Sequence, residues 1–295
     1  MRDATLLVVL HDSERELGAL LRSVQRHLRP APEIVAVDTA SRDGGAALAE
    51  RHGARVVRLA ANPGFGAANV AGLAHVRTPL TVLLNPDVEL LDAGAATLVA
   101  RAARHDALHV PRLLNADGTV QRSAHPVPGS PAALLPALVH PRLLPRRARL
   151  YADPWRAERP RRVGWAIAAA LAARTDTLRR LGPFDPDAFL FFEDLDLCLR
   201  AAAEGVPTVL HPDVVLRHAG GHSTRAAYAG EPHDLLARRR REVVARRLGR
   251  RALAWDDLAQ GVTFATRAIA HGGRAREVAQ LRALLRARRR TVTLT

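Results

Sequence analysis

TVLLNPDVEL, residues 81–90, is the stretch on which the fold turns. An apolar run, Val82-Leu83-Leu84, stops abruptly at Asn85-Pro86-Asp87. Proline fixes its own backbone and disfavours helix at the residue before it, so a strand ends here and holds Asp87 just past the sheet. Two readings fit these residues. One is an Asx-Pro turn. The other makes Asp87 a ligand for a hard divalent cation, with Asn85 where a second carboxylate would be expected. One carboxylate suffices when a diphosphate and water supply the remaining oxygens.

The preceding residues repeat the pattern of strand, polar end and helix. TLLVVL (5–10) reads as a buried strand. SERELGALLRSVQRHL (13–28) places Leu17, Leu20, Leu21, Val24 and Leu28 at helical spacing, with Ser13 and Glu16 in capping-box register. EIVAVD (33–38) and ARVVRL (54–59) are further strands, RDGGAALAERHG (42–53) and GAANVAGLAHV (66–76) helices, and LTVLLN (80–85) a fourth strand. Such alternation predicts a parallel sheet with helices on both faces, which binds ligands at the carboxyl ends of its strands. His11, Asp12, Asp38 and Asn85 to Asp87 stand at those ends.

Residues 111–162 are rich in Pro and Arg and weakly periodic, and read as an irregular connection, a mobile loop over a site, after a tight turn at NADG (115–118). VGWAIAAALAAR (163–174) is predicted as a strand, TDTLRRLG as a short helix, PFDPDAF as a loop and EDLDLCLRAAAEG (193–205) as a glycine-capped helix. PTVLH and DVVLRH read as two short strands. From about residue 232 the pattern is of basic amphipathic helices.

Composition bounds the function. The 295 residues, 48% of them hydrophobic, can bury a sizeable core. All 44 basic residues are arginine, a bias that with abundant Ala, Gly and Pro matches GC-rich codon usage. Residues 236–295 hold 16 Arg and 4 acids, so most of the +15 net charge lies in the C-terminal fifth and suits an anionic neighbour. The lone cysteine, Cys198, excludes an intrachain disulfide, and no apolar run reaches membrane-spanning length. With no signal-peptide layout at the start, the expected location is the cytoplasm, at the inner face of the membrane where the basic segment meets it.

Three clusters carry chemistry. Asp38 with TASRDGG either caps the next helix or accepts hydrogen bonds from a base or ribose, with Asp43 and the glycines letting backbone approach a ligand. LNPDV is the second. The third is FLFFEDLDLCLR (189–200), where Glu193, Asp194 and Asp196 either stabilise a helix start or present a buried base to a hydroxyl. His218 in LRHAGGHS is either structural or a metal ligand, and His222 follows it.

Taken in order, VVLHDS, VAVDTASRDGG, NPGFGAANVAG, LLNPDV, VGW, GPFDPDAFLFFEDLDLCLRAAAEG and HAGGHST resemble the family 2 glycosyltransferases of GT-A fold, most closely the rhamnosyltransferase-like branch, over roughly residues 5–225. The resemblance implies an α/β fold with a mostly parallel central sheet flanked by helices. It implies a transferase domain, taken as residues 1–230, and the basic helical pattern makes 231–295 an extension to it. The implied activity is inverting, metal-dependent transfer of a sugar from a nucleoside diphosphate to an acceptor hydroxyl, in bacterial cell-wall or surface polysaccharide synthesis. The resemblance leans towards dTDP-rhamnose as donor and a glycan or lipid-linked acceptor. By the same resemblance Asp38 contacts the nucleoside, with Asp12 and Asp43 near it. Asn62, Gly64, Phe65 and Asn69 lie in the nucleotide loop. Asp87 holds Mg2+ or Mn2+, with Asn85 in the variant first position and His218 completing the metal site. Asp194 is the base, with Glu193 beside it. Trp165 and Trp255 either contact sugar or lipid or, as is usual for tryptophan, pack in the core. The chain departs from the family at His11-Asp12, Thr39 and the AIAAA segment after VGW, which bears on the donor pocket.

The alternatives are a catalytically degenerate relative, a nucleic-acid-binding protein and a nucleotidyltransferase. Intact Asp38, Asp87, Glu193 and Asp194 argue against the first. The absence of interleaved aromatics or a binding motif argues against specific nucleic-acid contact. HDSERE lacks the glycines of a nucleotidyltransferase phosphate loop.

Overall fold

A computed structural model of the chain describes residues 1–139, 143–182, 184, 190–220, 231–270 and 275–289. Strands β1 (Ala4–Leu10), β2 (Glu33–Thr39), β3 (Arg55–Leu59) and β4 (Leu80–Leu84) form the parallel half of a nine-stranded sheet, in the spatial order β3-β2-β1-β4. Helices α1 (Glu14–His27), α2 (Gly45–Arg51) and α3 (Phe65–Leu73) connect them. Beyond β4 the order is β10-β6-β11-β5, comprising β5 (Val88–Leu90), β6 (Leu108–Leu114), β10 (Ala170–Arg174) and β11 (Thr208–His218). β10 runs antiparallel to both β4 and β6, and β11 runs parallel to β6. β5 and β8 (Arg161–Val163) share the outer edge of β11, both antiparallel to it.

Strand alternation sorts the core into two layers. Leu6, Val8 and Leu10 of β1 face α1, α2 and α4 (Gly94–Arg104), packing with Leu17, Leu20, Ala49 and Leu98. Leu7 and Val9 face the other way, into a cluster with Ala68 and Leu73 of α3, Leu178 of α7 (Thr175–Leu181) and Leu195 and Leu199 of α8 (Glu193–Ala203). A Cβ at Gly72 would come within 2.4 Å of Leu7 Cδ1, so only glycine lets α3 lie this close to the sheet.

Several elements differ from the sequence reading. Ser13 makes no side-chain cap on α1, because its Oγ accepts the His11 N–H. The first N–H of α1 is instead taken by Asp43 Oδ2 at 2.7 Å, from a loop 29 residues away that no local pattern could reveal. The 163–174 segment is not one strand. β8 ends at Val163, β9 (Trp165–Ala166) pairs with β7 (Ala124–His125) in a separate two-stranded sheet, and β10 starts at Ala170. PTVLH and DVVLRH join as the single strand β11, with a register shift between His211 and Val215 that absorbs Pro212. The 111–162 connection holds α5 (Pro131–Leu138) and α6 (Arg146–Ala152) as well as the expected turn, where the Gly118 N–H reaches Asn115 O. The 183–189 loop, apart from Phe184, and His222 lie outside the described residues.

The C-terminal helices α9 (His233–Ala270, kinked at Gly249) and α10 (Ala275–Arg289) are joined to the rest. Val243, Val244, Ala245 and Leu253 belong to the same core cluster as Leu195 and Leu199.

Candidate active site

The carboxyl ends of β2, β1 and β4 lie along one sheet edge, with Leu10 paired to Asp38 and Val8 to Leu84. β10 starts at the same edge, since Ala170 pairs with Leu84. Strand order reverses at β1, with β2 on one side and β4 on the other, which is where open sheets of this kind hold ligands.

On the nucleoside side, Asp38 is buried and its Oδ1 accepts the Ser41 N–H at 3.2 Å. His11 Nδ1 sits 3.1 Å from Thr39 Oγ1, so two of the family departures contact each other. Asp12 and Ala40 hold positive φ values of 45° and 57°, strained backbone at the two strand ends. Asp12 Oδ1 accepts the Arg42 N–H at 2.6 Å. Asp43 accepts from the Glu14 and Gly45 N–H groups, and Glu14 accepts from Gly44, so these acids brace the starts of α1 and α2. In the next loop Asn62 Oδ1 accepts the Gly64 N–H at 2.9 Å, and Gly64 turns the chain into α3 at φ 94°. Phe65 packs on Phe184, and buried Asn69 donates to Phe65 O, so both residues fix the loop from within.

Asp87 and His218 lie side by side. His218 Nε2 lies 3.3 Å from Asp87 Oδ1, and Asp87 Oδ2 accepts the Gly220 N–H at 3.1 Å. Burial raises the Asp87 pKa, but the hydrogen bond and charge of His218 and the backbone donors outweigh it, so the carboxyl lies below its ordinary value. The other His218 nitrogen, Nδ1, meets Gln121 Oε1 at 3.0 Å. Gln121 thus orients the imidazole, a role hidden in a stretch that reads as irregular. Asn85 Oδ1 is buried with no hydrogen-bond partner. An ionised carboxylate, an oriented imidazole and an orphaned amide oxygen fit a hard cation. Among the described residues no three His, Cys, Asp or Glu side chains gather as a closed metal cage, so further ligands would come from a diphosphate and water.

The third cluster forms the start of α8. Phe191 and Phe192 both hold left-handed φ angles, 76° and 62°, immediately before Glu193 and Asp194. Two consecutive non-glycine residues in that region are costly, and such strain collects at functional sites. Burial pushes the Asp194 carboxyl up to about 6, against hydrogen bonds from the Leu195 and Ala168 backbone. Burial, then the neighbouring Asp194 charge, push Glu193 up to about 8, and its Oε2 has no partner. At neutral pH Asp194 is therefore ionised and Glu193 protonated. Asp196 has a different task. It is 1% exposed and accepts from Arg200 Nε at 2.7 Å, Arg247 Nε at 2.7 Å and Arg246 at 3.0 Å, joining α8 to α9.

The AIAAA segment links the clusters through its backbone. Ala169 O accepts the Asn85 N–H at 2.8 Å, the Ala168 backbone reaches the Asp194 carboxyl, and Ala166 O accepts from Cys198 Sγ. The Asn85 and Asp194 motifs, over a hundred residues apart in sequence, thus hang on neighbouring residues of one segment. Trp165, just before it, is buried, stacked on His125 at 4.3 Å and tilted against Phe192 at 6.1 Å. It supports the Glu193-Asp194 turn from behind.

Residues 5–142 match the sequence profile described as Glycosyl transferase family 2. The chain is 27% identical over 234 residues, 72% of its length and 73% of the relative's, to the N-acetylglucosaminyl-diphospho-decaprenol L-rhamnosyltransferase of Mycobacterium tuberculosis. Among solved structures, a mannosyltransferase of Pyrobaculum calidifontis in complex with GDP-Man and Mn2+ superposes with a TM-score of 0.57 at 17% identity, covering 98% of this chain and 86% of that one. TarS of S. aureus in complex with UDP-GlcNAc gives 0.58 at 15% identity, covering 96% and 80%. These two likenesses establish the fold, a GT-A glycosyltransferase architecture. The profile match over residues 5–142, the rhamnosyltransferase relative and this fold point the same way: the chain is similar to the family 2 glycosyltransferases and shares their GT-A architecture.

Proposed function

We propose that the chain transfers a sugar, rhamnose in the first instance, from a nucleoside diphosphate donor to a hydroxyl of a lipid-linked glycan acceptor, with inversion at the anomeric carbon. The observation that carries this reading is Asp194, a carboxyl pushed up to about 6 by burial and tied by its neighbours to the Asn85–Asp87 turn. The acceptor oxygen attacks the anomeric carbon opposite the leaving group. The carbon–oxygen bond to the diphosphate breaks with its electron pair on the diphosphate, and the hydroxyl proton passes to Asp194. Glu193, protonated, keeps a second negative charge away from that carboxylate. A divalent cation held by Asp87 and His218, Mg2+ or Mn2+, would neutralise charge on the departing diphosphate. Asp38, with Asp12 beside it, receives the nucleoside, and the Asn62–Asn69 loop closes over it. Residues 1–230 act as the transferase domain in this reading, and 231–295 as a basic helical extension.

The acceptor's lipid suggests a membrane. No described helix is long and apolar enough to cross one. A surface contact has support elsewhere. Helix α5 is apolar on every side, and Leu138, Leu143, Trp255 and Ile269 are exposed, Ile269 at 82%. Arg251, Trp255, Leu258, Val262 and Ile269 follow one face of α9. Exposed Arg250, Arg251, Arg282 and Arg289 have no ion-pair partner among the described residues, which suits anionic headgroups.

A thermal-shift panel of nucleotide-sugars, dTDP-rhamnose included, with and without Mn2+, tests the donor site on wild type and Asp87→Ala. Metal-dependent stabilisation by one donor, lost in the variant, is the expected result. No shift with any donor would reject the reading.

A further inference from the structure

The turn that follows β6 ends beside His218. Leu114, the last residue of β6, pairs with Arg217 of β11 and bridges Val120 across the turn. Residues 115–121 therefore lie at the strand end that delivers His218.

The side chains of this turn make one line of hydrogen bonds, and its direction is set from the far end. Hydrogen bonds from the Thr119 hydroxyl and N–H hold the Asp117 carboxyl below its ordinary range, so it is ionised and can only accept. Thr119 Oγ1 donates to Asp117 Oδ1 at 2.6 Å. Its one proton spent, Thr119 Oγ1 accepts from Asn115 Nδ2 at 2.9 Å. Asn115 Oδ1 then accepts from Gln121 Nε2 at 3.2 Å, which leaves Gln121 Oε1 facing His218 Nδ1 at 3.0 Å. An amide oxygen has no proton to give, so Nδ1 is the N–H of the ring. That leaves Nε2, 3.3 Å from Asp87 Oδ1, as the nitrogen whose lone pair serves a cation. The opposite tautomer would need Gln121 and Asn115 both turned over. It would also set Asn115 Oδ1 against a Thr119 oxygen whose proton is already given to Asp117.

The packing keeps these groups together. The Gly220 N–H holds Asp87 Oδ2, and a Cβ on Gly220 would stand 3.6 Å from Gln121 Nε2 and 3.8 Å from His218 Cε1. Gln121, His218 and Asp87 are thus gathered round one backbone turn.

We propose that Gln121 is a positioning residue for a divalent cation at Asp87 and His218, and that the Asn115–Thr119 turn locks it in that role. Neither Gln121 nor the turn touches the cation; both act through the His218 ring. The proposal rests on the transferase reading for the use of the cation, and its test needs no turnover.

The full chain, with isotope-labelled histidine, is compared with Gln121→Leu, Gln121→Glu and Thr119→Val. The His218 ring is assigned by its loss in His218→Gln. Without divalent cation, and above the ordinary imidazole range, nitrogen–proton NMR should show Nδ1 protonated in wild type and in Gln121→Glu, which keeps an acceptor oxygen. In Gln121→Leu, which has none, Nδ1 should lose its proton. Mn2+ titration, followed by the EPR signal of the free ion, should show binding weakened about 10- to 100-fold in Gln121→Leu. Gln121→Glu should bind nearly as tightly as wild type, and Thr119→Val about threefold more weakly. Lost packing alone would weaken the Leu and Glu variants alike, so rescue by Glu separates positioning from a structural role. An Nδ1 proton retained in Gln121→Leu, Mn2+ affinity there equal to wild type, or Gln121→Glu as weak as Gln121→Leu would overturn the proposal. Unchanged affinity in Thr119→Val would overturn the share given to the turn. If Asp87→Ala binds Mn2+ as wild type does, no cation sits at this pair, and the proposal falls with the metal step of the transferase reading. If Mn2+ binding follows Gln121 as expected while no nucleotide-sugar shifts Tm, the transferase reading falls and the positioning role stands.

Discussion

Asp194 and Glu193 are adjacent in sequence and opposite in charge state at neutral pH. The base must be deprotonated, so the transfer rate should rise with pH through about 6 and level off above it, as initial rates between pH 5 and 9 would record. Asp194→Asn should abolish transfer while donor-induced thermal stabilisation survives. Loss of donor binding with transfer intact would remove Asp194 from the base role. Glu193→Gln replaces a protonated acid by a neutral isostere and should retain far more activity. It also has a stability signature. The folded pKa of Glu193 lies above its ordinary value, so the native state binds a proton that the unfolded chain has released. Stability from this group is greatest below the unfolded pKa and falls as pH rises towards about 8. The Tm of Glu193→Gln relative to wild type should therefore increase from pH 5 to pH 8. The sequence exposed both carboxylates as a pair after an apolar run. It could not separate their protonation, because burial comes from α9 and from the segment at Ala168, neither of which is near them in the chain.

At the scale of elements, α8 is held chiefly through its N-terminal half. Its N-terminus hangs on the Ala166–Ala169 segment and its first turn on α9 through Asp196. Removing one member of a buried ionic cluster leaves the others uncompensated. Asp196→Ala should thus cost about 3 kcal/mol in urea unfolding. If Asp196 were only a helix-start residue, the loss would fall within about 1 kcal/mol. Strands β1 to β4 and helices α1 to α3 were legible because each carries its own period and its own polar ending. The 163–174 segment was not. A run of alanines and a tryptophan has no break that marks a change of sheet, and only the pairing of Trp165–Ala166 with β7 takes those two residues out of the main one. The cap on α1 was misassigned for a similar reason, since Asp43 reaches it through space rather than along the chain.

For the whole molecule, the parallel half followed from alternation, whereas antiparallel β10 and the merged β11 depend on long-range pairing that periodicity does not encode. The C-terminal charge was plain in composition, but its distribution was not. Arg240 and Arg241 face Asp256 and Asp257, and Arg286 faces Asp234, so a good part of the basic set holds helices together. The exposed remainder, with the apolar residues beside it, should bring the protein to vesicles containing phosphatidylglycerol and not to neutral ones. Trp255→Ala with Leu258→Ala should weaken flotation with such vesicles without lowering Tm, because both side chains are about half exposed. The union of α9 with α8 has a consequence for where this chain can be cut. A fragment stopped at residue 230 would keep every residue of the nucleotide, metal and base motifs. It would also strip Arg246 and Arg247 from Asp196 and lay bare the apolar surface that Val244 and Leu253 cover. A chain stopped at residue 230 should therefore unfold at a lower temperature than the full chain and lose transfer with it, which a truncation series read by Tm and activity would check.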